Sequence, residues 1–196
     1  MTLPFRPDAE TYAVLVVDMQ KDGVEPGGAI FAPVPDAVRD DITRLVTAAR
    51  EHGWPVLHSQ HGHRPDGSDF GIAGHFEELS CVEGTPGIEF IAGMEPAPGE
   101  VVIRKRRYSA FHATDLEMIL RQMGVTGLFV CGVLTDACVL STVVDARARD
   151  FKVWAVRGAL AGTTEELHES ALAIYAGYFA DVVDTDWAIA GISAGA

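Results

Sequence analysis

Cys138, Lys105 and Asp18 are the residues of this chain whose types combine into a reactive set. A thiolate attacks carbonyl carbon, a nearby cation stabilises the thiolate, and a carboxylate takes the thiol proton and returns it to a leaving group. Local sequence places Cys138 in the first turn of a helix, at N3 with Thr135 as N-cap. Unpaired backbone N–H groups and the positive end of the helix dipole sit there, and both favour thiolate. A free cysteine titrates near ~8.5, and a helix N-terminus beside a cation lowers that value. Each residue also has a plainer reading. Cys138 suits a small core position, Asp18 a turn after a strand, and Lys105 a surface charge. Cys131 falls in an apolar run and reads as inert, whereas Cys81 falls in a long loop that assigns it nothing. Three cysteines without a Cys-x-x-Cys pair suit neither a disulfide framework nor a zinc knuckle.

The elements that must carry these residues alternate. Strands are predicted at 12–17, 55–58, 101–105, 128–133, 152–156 and 181–183. Helices are predicted from Asp36 to about His52, from a Thr114-x-x-Glu117 capping box to Met123, from Thr135 to about Asp150, and from Thr163-x-x-Glu166 to about Tyr178. The Gly/Pro/His-rich stretch 59–99 is long for a plain connection; a short helix is predicted at 75–79 within it. Alternation of this kind predicts a single α/β domain over 1–196, three layers thick (α/β/α), around a mainly parallel six-stranded sheet. Sites in such sheets lie beyond the carboxyl ends of the strands. Asp18, Lys105 and the segment entering Cys138 all fall at such ends.

The net charge of −13 argues against nucleic acid or an anionic membrane as partner, since either needs a basic surface. The run Arg104-Lys105-Arg106-Arg107 is a local basic site or a solvated patch. No apolar run approaches the ~20 residues of a membrane span, and residues 1–10 lack the apolar core of a signal peptide, so a cytoplasmic protein is expected. No glycine-rich phosphate loop is present, and no cofactor is expected.

Three segments carry a family resemblance: Val17-Asp18-Met19-Gln20, Lys105-Arg106-Arg107-Tyr108-Ser109-Ala110-Phe111 and Gly132-Val133-Leu134-Thr135-Asp136-Ala137-Cys138-Val139, the last extended by Thr142, Asp145 and Ala146. In order and spacing they resemble the signature segments of isochorismatase-like cysteine hydrolases. The resemblance runs from Tyr12 to about Asp184 and is most specific in the third segment. It implies a catalytic triad of Asp18, Lys105 and Cys138. It also implies a cis peptide before Leu134 and an oxyanion hole from the backbone N–H groups of Leu134 and Cys138. The implied reaction is hydrolysis of a small amide, N-carbamoyl or ureido compound through a thioester. The implied assembly is a homo-oligomer.

The sequence departs from its relatives in places. Gly23 stands where many carry an aromatic residue, and Arg157-Gly158 where many carry an acid, at the expected rim of the pocket. Nicotinamidases of this superfamily hold a metal at an Asp-x-His motif whose matching positions are His61 and His63, with His75 as a third candidate ligand. The Asp is absent here, and the segment Gly62-His63-Arg64-Pro65-Asp66 looks more like the metal-free ureido and biuret hydrolases, so no metal is expected. Gln20, Gln60, His61, Arg64, Tyr108 and Phe111 are candidate substrate contacts. A vinyl ether hydrolase, a metal-containing nicotinamidase-like amidase and a non-catalytic binding protein of the same fold are the alternatives.

Overall fold

The computed structural model describes residues 11–76 and 78–194; the signal-peptide expectation at 1–10 lies outside them. Strand β1 (Thr11–Val17) is buried on both faces, as its unbroken apolar run requires. A short helix α1 (Lys21–Val24) precedes α2 (Asp36–Glu51), and β2 (Val56–His61) follows. β3 (Val101–Lys105), α3 (Leu116–Gln122) and β4 (Val125–Val133) come next. A wide helical turn over Thr135–Val139 leads into α4 (Leu140–Ala148), then β5 (Lys152–Ala161), α5 (Glu165–Ile174), β6 (Asp181–Val183) and α6 (Thr185–Ala194).

All six strands pair in parallel, in the order β3-β2-β1-β4-β5-β6. Alternate residues of β1 face opposite layers. Val14 and Val16 pack with Ile42, Leu45 and Ala49 of α2 and with Ala188 and Ile192 of α6. Ala13, Leu15 and Val17 pack with Leu116 and Leu120 of α3, Val143 of α4 and Leu172 of α5. Each buried Val or Leu contributes about 1.5–3 kcal/mol. The expected α/β/α sandwich is therefore what the chain forms. No helix among the described residues is long and apolar enough to cross a membrane.

Several boundaries differ from expectation. β2 continues through Ser59, Gln60 and His61, because parallel pairing with β3 satisfies the backbone of a polar segment. β5 continues to Ala161, bulging where Val130 pairs with Ala155 but Gly132 with Leu160. Arg157 and Gly158 thus lie inside a strand, beside a depression that Cys138 does not line, rather than at the catalytic rim. The predicted helix at 75–79 is replaced by a 3₁₀ turn at Gly71–His75. The Thr114–Glu117 capping box does not form, because Glu117 pairs with Arg149 at 3.0 Å and the cap position is Asp115. Asp36 is the first residue of its helix, after Pro35, and Thr164 rather than Thr163 caps α5, accepting from the Leu167 N–H. α6 had no counterpart among the predicted elements.

Candidate active site

The chain runs outward from β1 in one direction through β2 and β3, and in the other through β4, β5 and β6. The sheet reverses order between β1 and β4, and a crevice opens at such a point beyond the carboxyl ends. Asp18 follows β1, His61 ends β2, Lys105 ends β3 and Leu134 follows β4. Residues remote in sequence meet there because these four strands are neighbours. Gly132 makes the approach possible: its φ is +108°, and a Cβ on it would stand 2.2 Å from the carbonyl oxygen of Val17. The peptide between Val133 and Leu134 is cis.

Asp18 has a φ of +49°, a left-handed conformation that Asp tolerates better than most residues. Its Oδ1 accepts from Ser59 Oγ at 2.6 Å, and its Oδ2 lies 2.6 Å from Lys105 Nζ. Lys105 is fully buried. A buried ammonium is tolerated only when paired and hydrogen-bonded. Besides Asp18, its Nζ has Arg107 O at 3.0 Å, His61 Nδ1 at 3.1 Å and Cys138 Sγ at 3.3 Å.

Burial works against both charges, but the pair prevails. Asp18 titrates below its ordinary value because Lys105, with His61 and Ser59, outweighs desolvation. Lys105 titrates above its ordinary value because the Asp18 carboxylate beside it outweighs desolvation. Cys138 behaves otherwise than the helix argument predicts. Burial pushes its thiol up to about 12, and the Asp18 carboxylate adds to burial against Lys105. The local helix position is also weaker than expected: the cap residue is Leu134, Cys138 lies four residues on, and Thr135 uses its hydroxyl on His168 Nδ1. These directions favour a carboxylate, an ammonium and a neutral thiol at rest.

These groups open on a cavity of about 510 Å³, lined by Asp18, His61, Leu134, Ala137 and Cys138 among others. Gly23 and Ile30 form part of its wall, and nothing lies within 4 Å of where a Cβ on Gly23 would point. Of the candidate contacts, Gln20, His61 and Tyr108 line the cavity. Gln20 spends its amide bracing His61: Oε1 accepts from His61 N–H and Nε2 donates to His61 O, each at 2.7 Å. Gln60 donates to Ile88 O and borders a different depression. Arg64 is exposed away from the cavity. Phe111 is not a pocket residue either; it packs in the core beneath the Arg149 guanidinium, 5.2 Å from the ring centre.

Residues missed in sequence also shape the site. Ser59 is the register partner of Val17 in the sheet, which places its hydroxyl on Asp18. Asp22 accepts from the Cys81 and Ala29 N–H groups and so ties together two loops, one of which lines the cavity through Cys81. Asp136 lines the cavity and is held by the Thr163 N–H and hydroxyl. Only sheet register or loop packing reveals these. The arginines flanking Lys105 are tethers rather than a free basic patch: Arg104 and Arg106 pair with Glu83, and Arg106 also with Asp69.

Asp18, His61 and Cys138 each offer a ligand atom, all within 4.8 Å of one another. The Lys105 ammonium contacts all three, so a cation already stands where an ion would sit. His61 and His63 touch through Nε2 atoms 2.8 Å apart, but His75 is exposed on the 3₁₀ turn and belongs to no such group among the described residues. The donor set does not fit a bound metal.

The sequence profile of the Isochorismatase domain matches residues 12–186, and the chain belongs to that family. It is 33% identical over 163 residues to a probable inactive nicotinamidase of Arabidopsis thaliana, covering 80% of this chain and 83% of that protein. It is 30% identical over 174 residues to maleamate amidohydrolase of Pseudomonas putida, covering 87% and 82%. The solved pyrazinamidase of Pyrococcus horikoshii in complex with zinc superposes with a TM-score of 0.81 at 32% identity, over 88% of this chain and 98% of that one.

Proposed function

We propose that this protein is a cysteine-dependent amidohydrolase that cleaves the C–N bond of a small amide, N-carbamoyl or ureido compound through a thioester on Cys138. The observation that carries this reading is the contact of one buried ammonium, Lys105, with both the Asp18 carboxylate and the Cys138 sulfur. That arrangement stabilises a negative charge on either partner and so lets a proton pass between them.

The thiol is neutral at rest, so the thiolate forms during attack rather than before it. Asp18 Oδ2 takes the proton as Sγ bonds to the substrate carbonyl carbon. The oxyanion accepts hydrogen bonds from the Leu134 and Cys138 N–H groups, donors of a kind worth roughly 3–4 kcal/mol each in the transition state. Asp18 returns the proton to the departing nitrogen as the C–N bond breaks. A water, deprotonated by Asp18, then cleaves the thioester; the acid leaves and Cys138 regains its proton. Lys105 keeps its proton throughout.

Ammonia release from a panel of primary amides and ureido compounds tests the reading. Activity in the wild type that disappears in Cys138→Ala is expected. Undiminished ammonia release by Cys138→Ala would sink the thioester route.

A further inference from the structure

Lys105 is the start of a chain of hydrogen bonds that leaves the catalytic groups. Its Nζ lies 3.1 Å from His61 Nδ1, His61 Nε2 lies 2.8 Å from His63 Nε2, and His63 Nδ1 lies 3.3 Å from Asp69 Oδ1. An ammonium only donates, so His61 Nδ1 must accept. A neutral imidazole then carries its proton on Nε2 and gives it to His63 Nε2. His63 keeps its proton on Nδ1 and gives it to Asp69. Each link dictates the tautomer of the next. Gln20 clamps the His61 backbone on both sides, the Phe70 ring packs 4.8 Å from that of His63, and Asp69 is anchored by the Arg64 N–H and by Arg106.

We propose that Lys105–His61–His63–Asp69 is a metal-free positioning relay, standing where nicotinamidase members of the superfamily hold an ion, with His61 aiming the Lys105 ammonium at Asp18 and Cys138. This rests on Lys105 serving the reaction assigned to the site above. The relay and an ion exclude each other. A metal on the two facing Nε2 atoms would leave the His61 proton on Nδ1. That proton would point at the Lys105 ammonium 3.1 Å away, donor against donor. A fourth acceptor also matters to Lys105, because its three protons face Asp18, Arg107 O, Cys138 and His61.

The tautomers are readable without any activity. ¹⁵N-histidine NMR of the whole protein, before and after addition of zinc, is expected to show His61 protonated on Nε2 and His63 on Nδ1, unchanged by the metal. A His61 proton on Nδ1, or stoichiometric zinc shifting both rings, would overturn the relay. Kinetics supply the second arm. His61→Ala should lower kcat by roughly 10-fold to 100-fold with little change in KM, while His61→Asn, whose amide oxygen can take the place of Nδ1, should recover much of the loss. Equal kcat in wild type and His61→Ala would also overturn it. Failure of the amidohydrolase reading looks different, since wild type would then release no ammonia while the NMR pattern stood.

Discussion

Lys105 Nζ lies 3.3 Å from Cys138 Sγ although 33 residues separate the two in sequence. The contact exists because β3 and β4 end on the same edge of the sheet, and because the Lys105 stem reaches across the two strands between them. It places a permanent cation beside the only cysteine that is both partly accessible and in contact with a charged group among the described residues. Cys131 lies in the core, and burial alone keeps its thiol protonated. Cys81 reaches the cavity, yet burial holds its pKa at about 12.

Reactivity of Cys138 should respond to Asp18 in a counter-intuitive direction. The carboxylate helps keep the resting thiol neutral. Asp18→Asn removes that charge and leaves Lys105 in place. Alkylation by iodoacetamide near neutral pH should therefore speed up, while amide hydrolysis falls by about 10²–10⁴-fold through loss of the general base. Mass mapping of the labelled peptides alongside ammonia assays checks both. Slower labelling would contradict the assigned charge state.

The Asp18–Lys105 pair should be costly to split. Lys105→Met leaves a buried carboxylate without its cation and should destabilise the protein by about 3–5 kcal/mol. Adding Asp18→Asn removes the stranded charge and should restore much of that stability. Urea denaturation of the two single variants and the double variant checks it.

Glu100 should contribute acid-sensitive stability. Arg50, the Ala97 N–H and His58 together outweigh its burial and hold its pKa at about 2, below the ordinary glutamate value of 4.5. A lowered folded pKa gives stability that is complete above the unfolded value and fades as pH falls from 4.5 towards 2. Glu100→Gln should cost about 2 kcal/mol at neutral pH and nearly nothing at pH about 2. Denaturation midpoints across that range measure the difference.

Gly23 should set the size of the substrate. A Cβ there meets nothing within 4 Å and enters the cavity wall. Gly23→Ala should leave the melting temperature unchanged or raise it slightly, since glycine weakens a helix by about 1 kcal/mol. Gly23→Phe should cut kcat/KM for ring-bearing amides by about tenfold or more relative to short aliphatic ones. The ratio across an amide series tests the assignment.

Particular residues show what was legible in the sequence. β1, β3 and β6 and their carboxyl ends follow from apolar runs, and so do the placements of Asp18 and Lys105. The polar end of β2 was hidden, because Ser59, Gln60 and His61 are buried by register with β3 rather than by their own character. The length of β5 was hidden for a similar reason, since Arg157 and Gly158 sit in a bulge that only pairing with β4 defines. A helix terminus is a local feature legible near Cys138, whereas the burial that opposes its thiolate, and the Asp18 carboxylate from 120 residues earlier that adds to it, exist only in the folded site. Phe111 is a candidate contact only through its nearness to Lys105; an aromatic there is more often a core residue, and the chain turns it inward onto Phe151.

The central claim is that Cys138 forms a covalent bond to the acyl group of the substrate. Quenching the wild-type protein during turnover of a slowly hydrolysed amide, then mapping its peptides by mass spectrometry, tests this most directly. The expected result is an acyl group on the Cys138 peptide, released by hydroxylamine and absent from Cys138→Ala. Sustained turnover by Cys138→Ala, with no acyl group on the wild-type protein, would contradict it.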